Sequence, residues 1–412
     1  MHIAMVSEHA SPLAALGNVD AGGQNLHVAE LSAALRRKGH AVTVYTRRDD
    51  PSQPERIRTP AGYDVVHVPA GPAEPIPRDE LLPYMPEFGD WLHRTWSRSA
   101  PDIAHGHFWM SGLACVRGAH GLGIPVTETF HALGVVKRRH QGSTDTSPAN
   151  RVELERRLSL DVDRVLATCS DELFELARMG TPHTRMSVVP CGVDLQRFTA
   201  DADNAADVPR RVCPHRIVTV GRLVPRKGFD IAIAALRHLP TAELVIVGGP
   251  RPDELHDDDE ARRLLRIARR HGVADRVRIT GQIPREHMPA LLRSADVVAC
   301  VPWYEPFGIV PLEAMASGVP VIAAAVGGLT DTVVDGVTGT LVPPREPREL
   351  ADAAQELLAD PALRRSYGSA GRKRVASRYS WNRIAADTQR IYHRVRAQLA
   401  ETEEPNEKVA AL

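Results

Sequence analysis

Lysine is nearly absent from this chain of 412 residues: only Lys38, Lys137, Lys227, Lys373 and Lys408 stand among 51 Lys and Arg. Arginine is the default cation, so Lys137 and Lys227 mark places where a compact ammonium replaces a planar guanidinium. Net charge is missing as well. Lys+Arg and Asp+Glu both number 51, so no global field draws in nucleic acid or an anionic membrane, and any anion site must be local. No apolar run approaches the roughly 20 residues needed to cross a bilayer. The start, Met1-His2-Ile3-Ala4-Met5-Val6, lacks the basic segment and long apolar core of a secretion signal and reads as a first strand. The cysteines Cys115, Cys169, Cys191, Cys213 and Cys300 are odd in number, widely spaced and free of Cys-x-x-Cys, the pattern of reduced, buried thiols in a cytoplasmic protein.

Two further absences narrow the chemistry. No Gly-x-Gly-x-x-Gly follows the first strand, which disfavours a nicotinamide dehydrogenase. His105 and His107 share one side of an extended segment, but a zinc site needs a third and fourth ligand, and only scattered candidates such as His131 and His140 follow. No metal and no other cofactor are expected. The run Asp257-Asp258-Asp259-Glu260 reads as a solvated helix start.

The content is 43% apolar and 25% charged, that of an ordinary globular protein, and the length implies about two domains. Apolar runs alternate with amphipathic stretches throughout, the signature of α/β units on parallel sheets. In the first half the strands fall at 3–6, 42–46, 65–68, 103–105, 126–130, 165–168 and 187–189. A second series at 217–220, 244–247, 277–280, 297–301 and 319–323 follows the polar stretch 199–208, which reads as a linker. The expected fold is therefore α/β with two doubly wound domains, 1–195 and 196–378, facing a central cleft. A last helix at 379–400 follows the break at Tyr379-Ser380-Trp381, and 401–412 reads as a disordered tail.

Chemistry concentrates where strands end, as ligands of such sheets bind at the carboxyl ends of strands. Glu305-Pro306-Phe307-Gly308-Ile309-Val310-Pro311-Leu312-Glu313 sets two carboxylates around a Phe-Gly step that opens a helix. Gly308 allows close backbone approach, and the free N–H groups of a helix start attract anions. Arg222 follows a strand end at Gly221 and Lys227 comes five residues later before a helix, so both can converge on one diphosphate. Gly22-Gly23, between the first strand and first helix, admits a phosphate or sugar closely.

These motifs, with Ala21-Gly22-Gly23-Gln24-Asn25, His105-Gly106-His107-Phe108-Trp109-Met110-Ser111-Gly112, Val220-Gly221-Arg222-Leu223 and Arg226-Lys227-Gly228, resemble those of the family 4 retaining glycosyltransferases in order and spacing over most of the chain. Among relatives, the mycothiol-pathway inositol-phosphate glycosyltransferases and the sucrose-phosphate synthases look nearest. The resemblance implies the two-Rossmann GT-B fold, with the first domain binding the acceptor, the second the nucleotide sugar, and the last helix crossing back to the first domain. It implies that Arg222 and Lys227 hold the diphosphate, Glu313 the ribose, and Glu305 the sugar. It adds backbone closure at Phe307, Gly308, Ile309 and Val310, the base beside Gly281-Gln282-Ile283 with Arg276 nearby, and His131 at the reactive carbon. No metal takes part in the implied reaction.

A small acceptor is expected: the basic cluster Arg78, Lys137, Arg138, Arg139 and Arg151 suits a phosphorylated or otherwise anionic one, and two departures from the relatives point to a sugar phosphate or a polyol in place of inositol phosphate. By the same resemblance Asn25, Arg78 and Arg151 match acceptor-binding positions, joined by Lys137, His107 and Phe108. Where the mycothiol-pathway relatives have His-Tyr-Trp and His-Thr-Leu, this chain has His107-Phe108-Trp109 and His131-Ala132-Leu133, so two hydroxyls are missing. A UDP-sugar is favoured as donor of a hexosyl or N-acetylhexosaminyl group. Other readings are a GDP-mannose-dependent mannosyltransferase, and an epimerase or phosphorylase on the same fold. The partners are the nucleotide sugar and acceptor, without nucleic acid or a membrane-spanning segment. A homodimer stays open.

Overall fold

The computed structural model describes residues 1–14, 22–200 and 208–409, with side chains described as far as Glu401. Ala21 and most of the 199–208 linker lie outside the described residues. The chain divides into two compact units, one running to Pro190 and resuming at Trp381, the other Cys191–Ser380.

The first unit carries strands β1 (His2–Val6), β2 (Ala41–Arg47), β3 (Arg56–Arg58), β4 (Asp64–Val68), β5 (Ile103–His107), β6 (Val126–Thr129), β7 (Arg164–Ala167) and β8 (Met186–Val188). They form an eight-stranded sheet in the order β3-β4-β2-β1-β5-β6-β7-β8, parallel except for β3 against β4. Both faces are covered, so the strands read as continuous apolar runs: Ile3, Ala4, Met5 and Val6 are all fully buried. Strand order reverses between β1 and β5, which leaves a crevice outside their carboxyl ends.

The second unit repeats the plan with β9 (His215–Val220), β10 (Ala242–Val247), β11 (Val277–Ile279), β12 (Val297–Cys300), β13 (Val321–Ala324) and β14 (Gly339–Val342). Their order is β11-β10-β9-β12-β13-β14, all parallel, reversing between β9 and β12. Alternation along β10 sends Leu244 and Ile246 into one core with Phe229, Leu236 and Leu264, and Val245 and Val247 into another with Leu312 and Met315.

Two strands escaped the sequence reading: β3 is an exposed Arg-Ile-Arg edge, and β14 has no apolar run. The last helix is a correction. It runs Trp381–Val409, so residues 401–409, expected to be disordered, are helical. It belongs to the first unit, where Tyr392 reaches β5 and Arg396 meets Asp102 at 2.7 Å. The acidic run is a helix start: Asp258 accepts from the Ala261 N–H at 2.7 Å and caps the helix Asp259–Arg270.

Candidate functional site

In the second unit the loops leaving β9 and β12 meet at the reversal point. After β9, Gly221 and exposed Arg222 lead into a turn at Pro225–Lys227, and Gly228 caps the helix Phe229–Leu236 in the left-handed conformation, φ 71°. A Cβ on Gly228 would lie 2.0 Å from the Val301 carbonyl oxygen, so only glycine lets the two loops touch. The Arg226 carbonyl in turn accepts from the Trp303 N–H at 2.8 Å. This contact sets Lys227 against Glu305, and Lys227 Nζ donates to Glu305 Oε2. Burial pushes the Glu305 carboxyl up, but Lys227, Arg226 and the Phe307 N–H outweigh it and hold it below the usual carboxylate range.

Gly308, φ 71°, caps the helix Ile309–Ala316 and leaves its first N–H groups open toward the same edge. Glu313 lies in that helix, 4% exposed, and burial raises its carboxyl even though Arg285 sits 3.0 Å away. The approach is close but poorly aligned: Glu313 Oε1 and Arg285 Nε have no hydrogen-bond partner among the described residues. Hydroxyl donors would satisfy that oxygen.

At the reversal point of the first unit, β1 runs into Glu8 and His9, and β5 into Phe108. Phe108 (φ 85°) and His131 (φ 61°) hold the left-handed backbone that side chains avoid. His107 Nδ1 and His131 Nε2 are 2.9 Å apart, and His105 bonds Tyr392 at 2.7 Å and Thr129 at 2.9 Å. Burial drives His107 and His131 well below their usual range, so both rings are neutral at pH 7 and can share one hydrogen bond. The His131 turn is clamped by a buried pair: Arg151 donates to the Ala132 carbonyl at 2.6 Å and to Glu155 at 2.7 Å, and Glu155 accepts from the Gly134 N–H at 2.7 Å. Among the described residues no group of three or more His, Cys, Asp or Glu is arranged to hold a metal ion.

With this geometry in view, the comparisons with known proteins are specific. The family described as Glycosyltransferase Family 4 matches residues 21–197, and Glycosyl transferases group 1 matches 204–374. A D-inositol 3-phosphate glycosyltransferase of Xylanimonas cellulosilytica is 36% identical over 406 residues, covering 95% of this chain and 96% of that one. The sucrose-phosphate synthase of Thermosynechococcus elongatus superposes with a TM-score of 0.86 at 34% identity, over 96% of this chain and 99% of its own. The chain belongs to the family 4 glycosyltransferases. HepE of Anabaena, solved with UDP-glucose, shares the fold at 20% identity and a TM-score of 0.69, over 98% of this chain and all of its own, 100%.

In this glycosyltransferase of GT-B fold, Gly221, Arg222, Lys227, Glu305, Phe307, Gly308, Ile309, Val310 and Glu313 fall on the loops and helix starts at one reversal point. Ile283 follows β11 at the same edge. Arg276 does not join them. It precedes β11, at the amino end of the sheet, and its guanidinium donates to the carbonyls of Leu239, Ala242 and Leu236 at 2.7, 2.6 and 3.2 Å. Gly22 starts the helix Gly23–Arg37 in extended backbone with open space around it, and Asn25 is spent locally, accepting from the Gly22 N–H and donating to the Ser11 carbonyl, both at 3.0 Å. Arg285 was missed by the sequence reading, since no fixed spacing ties it to Glu313.

Proposed function

We propose that this glycosyltransferase moves a hexosyl or N-acetylhexosaminyl group from a UDP-sugar to a small acceptor, phosphorylated or a polyol, with retention and without a metal. The observation that carries the reading is the convergence of Lys227, Glu305 and the Ile309–Ala316 helix start at the reversal point of one parallel sheet. A diphosphate there meets an ammonium and open N–H groups, the charges a departing UDP needs. Arg222 joins Lys227 on the phosphates. Glu305 then releases Lys227 and takes sugar hydroxyls, while Glu313, held by the Arg285 ion pair, takes the ribose hydroxyls.

In the reaction, the bond from the anomeric carbon to the β-phosphate oxygen breaks as the acceptor oxygen bonds that carbon on the same face. The acceptor's proton passes to the leaving phosphate oxygen. His131, neutral, serves as a hydrogen-bonding group beside the reacting carbon and not as an acid. Free cysteines throughout and the absence, among the described residues, of a helix long and apolar enough to cross a membrane fit a cytoplasmic site of action. Proton NMR of the product made from an α-linked UDP-sugar in the presence of a chelator tests the reading: an α-linked product at undiminished rate is expected, and a β-linked product or a chelator-dependent rate would refute it.

A further inference from the structure

Phe108 follows the carboxyl end of β5, and its ring is approached by His9 at 4.9 Å, Arg151 at 5.0 Å and Arg78 at 5.6 Å. Around it stand three cations, and each already has a carboxylate. Arg78 donates to Asp79 at 3.1 Å. Lys137 Nζ lies 3.1 Å from the other oxygen of Asp79 and 3.0 Å from Asp145, and donates to Ser147 at 2.8 Å. Arg151, 1% exposed, is consumed by Glu155, Ser147 and the Ala132 carbonyl. Thr146 adds a short hydrogen bond to Asp79, and buried Glu8, beside His9 at 2.6 Å, is a fourth carboxylate at this edge.

A phosphate monoester brings close to two negative charges and needs cations with bonding capacity to spare. Here three cations face four carboxylates: Arg78 meets Asp79 through Nε and keeps its Nη groups, but a dianion would have to pull Lys137 off Asp79 and Asp145 and then lie against both carboxylates. An uncharged polyhydroxy compound has no such conflict: its hydroxyls donate to carboxylates and accept from the Arg78 Nη groups or His9 while Lys137 keeps its partners. We propose that the acceptor is an uncharged polyol or sugar without phosphate, and that Asp79 is the residue that sets this choice by neutralising Arg78 and Lys137. The inference rests on the glycosyltransfer reading above and on the acceptor entering at this edge. It separates this chain from relatives named as D-inositol 3-phosphate glycosyltransferases.

The test pairs calorimetric binding with turnover, using inositol, inositol 3-phosphate, glucose and glucose 6-phosphate as probes, on the wild type and on Asp79→Asn, with Asp145→Asn as a second variant. The wild type is expected to bind and glycosylate the free polyol or sugar in preference to its phosphate. Asp79→Asn is expected to raise the ratio of phosphorylated to free acceptor at least about tenfold, the size of one charge-assisted hydrogen bond, and Asp145→Asn to shift it the same way. Tighter binding of the phosphorylated probes by the wild type, or an unchanged ratio in both folded variants, overturns the proposal. Slow release of UDP from a UDP-sugar without acceptor is measured in parallel, so that a failed donor reaction is told apart from a wrong acceptor class, which the binding arm reads by itself.

Discussion

Glu305 and Glu313 are eight residues apart, yet their surroundings push them in opposite directions. Lys227 and Arg226 keep Glu305 below the ordinary carboxylate range, whereas burial lifts Glu313 against the pull of Arg285. Different work follows from different surroundings. Glu313→Gln should weaken UDP itself by about tenfold or more, the loss of a charged hydrogen bond to a hydroxyl. Glu305→Gln should spare UDP and weaken the intact donor, and titration of both ligands into both variants checks this. Equal losses of UDP would defeat the division. Arg285→Met should cost about 2 kcal/mol of stability by urea unfolding, less than a fully buried pair because the Arg285 side chain is 20% exposed. It should weaken UDP along with Glu313→Gln. The two glutamates, Lys227 and their loops were legible from spacing beside strand ends. Arg285 was not, because only the fold brings the loop after β11 to the helix that follows β12, and Arg276 misled because its position after a helix says nothing about which end of the sheet it caps.

At the level of elements, the contact between the β9 and β12 loops depends on one backbone conformation. Gly228→Ala would place a methyl against the Val301 carbonyl in a left-handed residue, so the loop must move. A destabilisation of at least about 1 kcal/mol is expected from the conformation alone, with a larger fractional loss of turnover than of Tm because Lys227 is displaced with it. Thermal unfolding and initial rates read the two effects; a variant with wild-type turnover would show that this contact does not position the lysine. Elements with strong periodicity were readable. The failures share a cause: β3 and β14 are short strands, β3 alternating charge with one apolar residue and β14 holding few apolar side chains, so pairing in the sheet and not local composition makes them strands. The helix beyond 400 was misjudged because a polar, acidic segment reads alike whether solvated as coil or as helix.

For the molecule as a whole, four of the buried histidines of the first unit are held neutral by their surroundings. Burial lowers His27 to about 4 and His105 to about 3 from 6.5, and drives His107 and His131 lower as well. Because the folded values are depressed, the stability these rings contribute is present above pH 6.5 and is lost as pH falls below it. Each unit of depression is worth about 1.4 kcal/mol. The raised carboxyls Glu128, Glu155 and Glu172 act in the opposite sense, so the rings are read directly: NMR titration should find all four imidazoles neutral from pH 7 to pH 5, and a ring that protonates in that range would contradict this. The two-sheet plan was visible in the alternation of apolar and amphipathic stretches, but the Lys137–Asp79 pair of the first unit was not, since its partners lie 58 residues apart. The account turns on a nucleoside diphosphate binding in the second unit beside Lys227, and titration of UDP into the wild type and Lys227→Ala is its most direct test. UDP should bind the wild type, with affinity at least about tenfold lower in the variant, as the loss of a charged phosphate contact requires; no UDP binding by the folded wild type, or equal affinity in the two proteins, would contradict it.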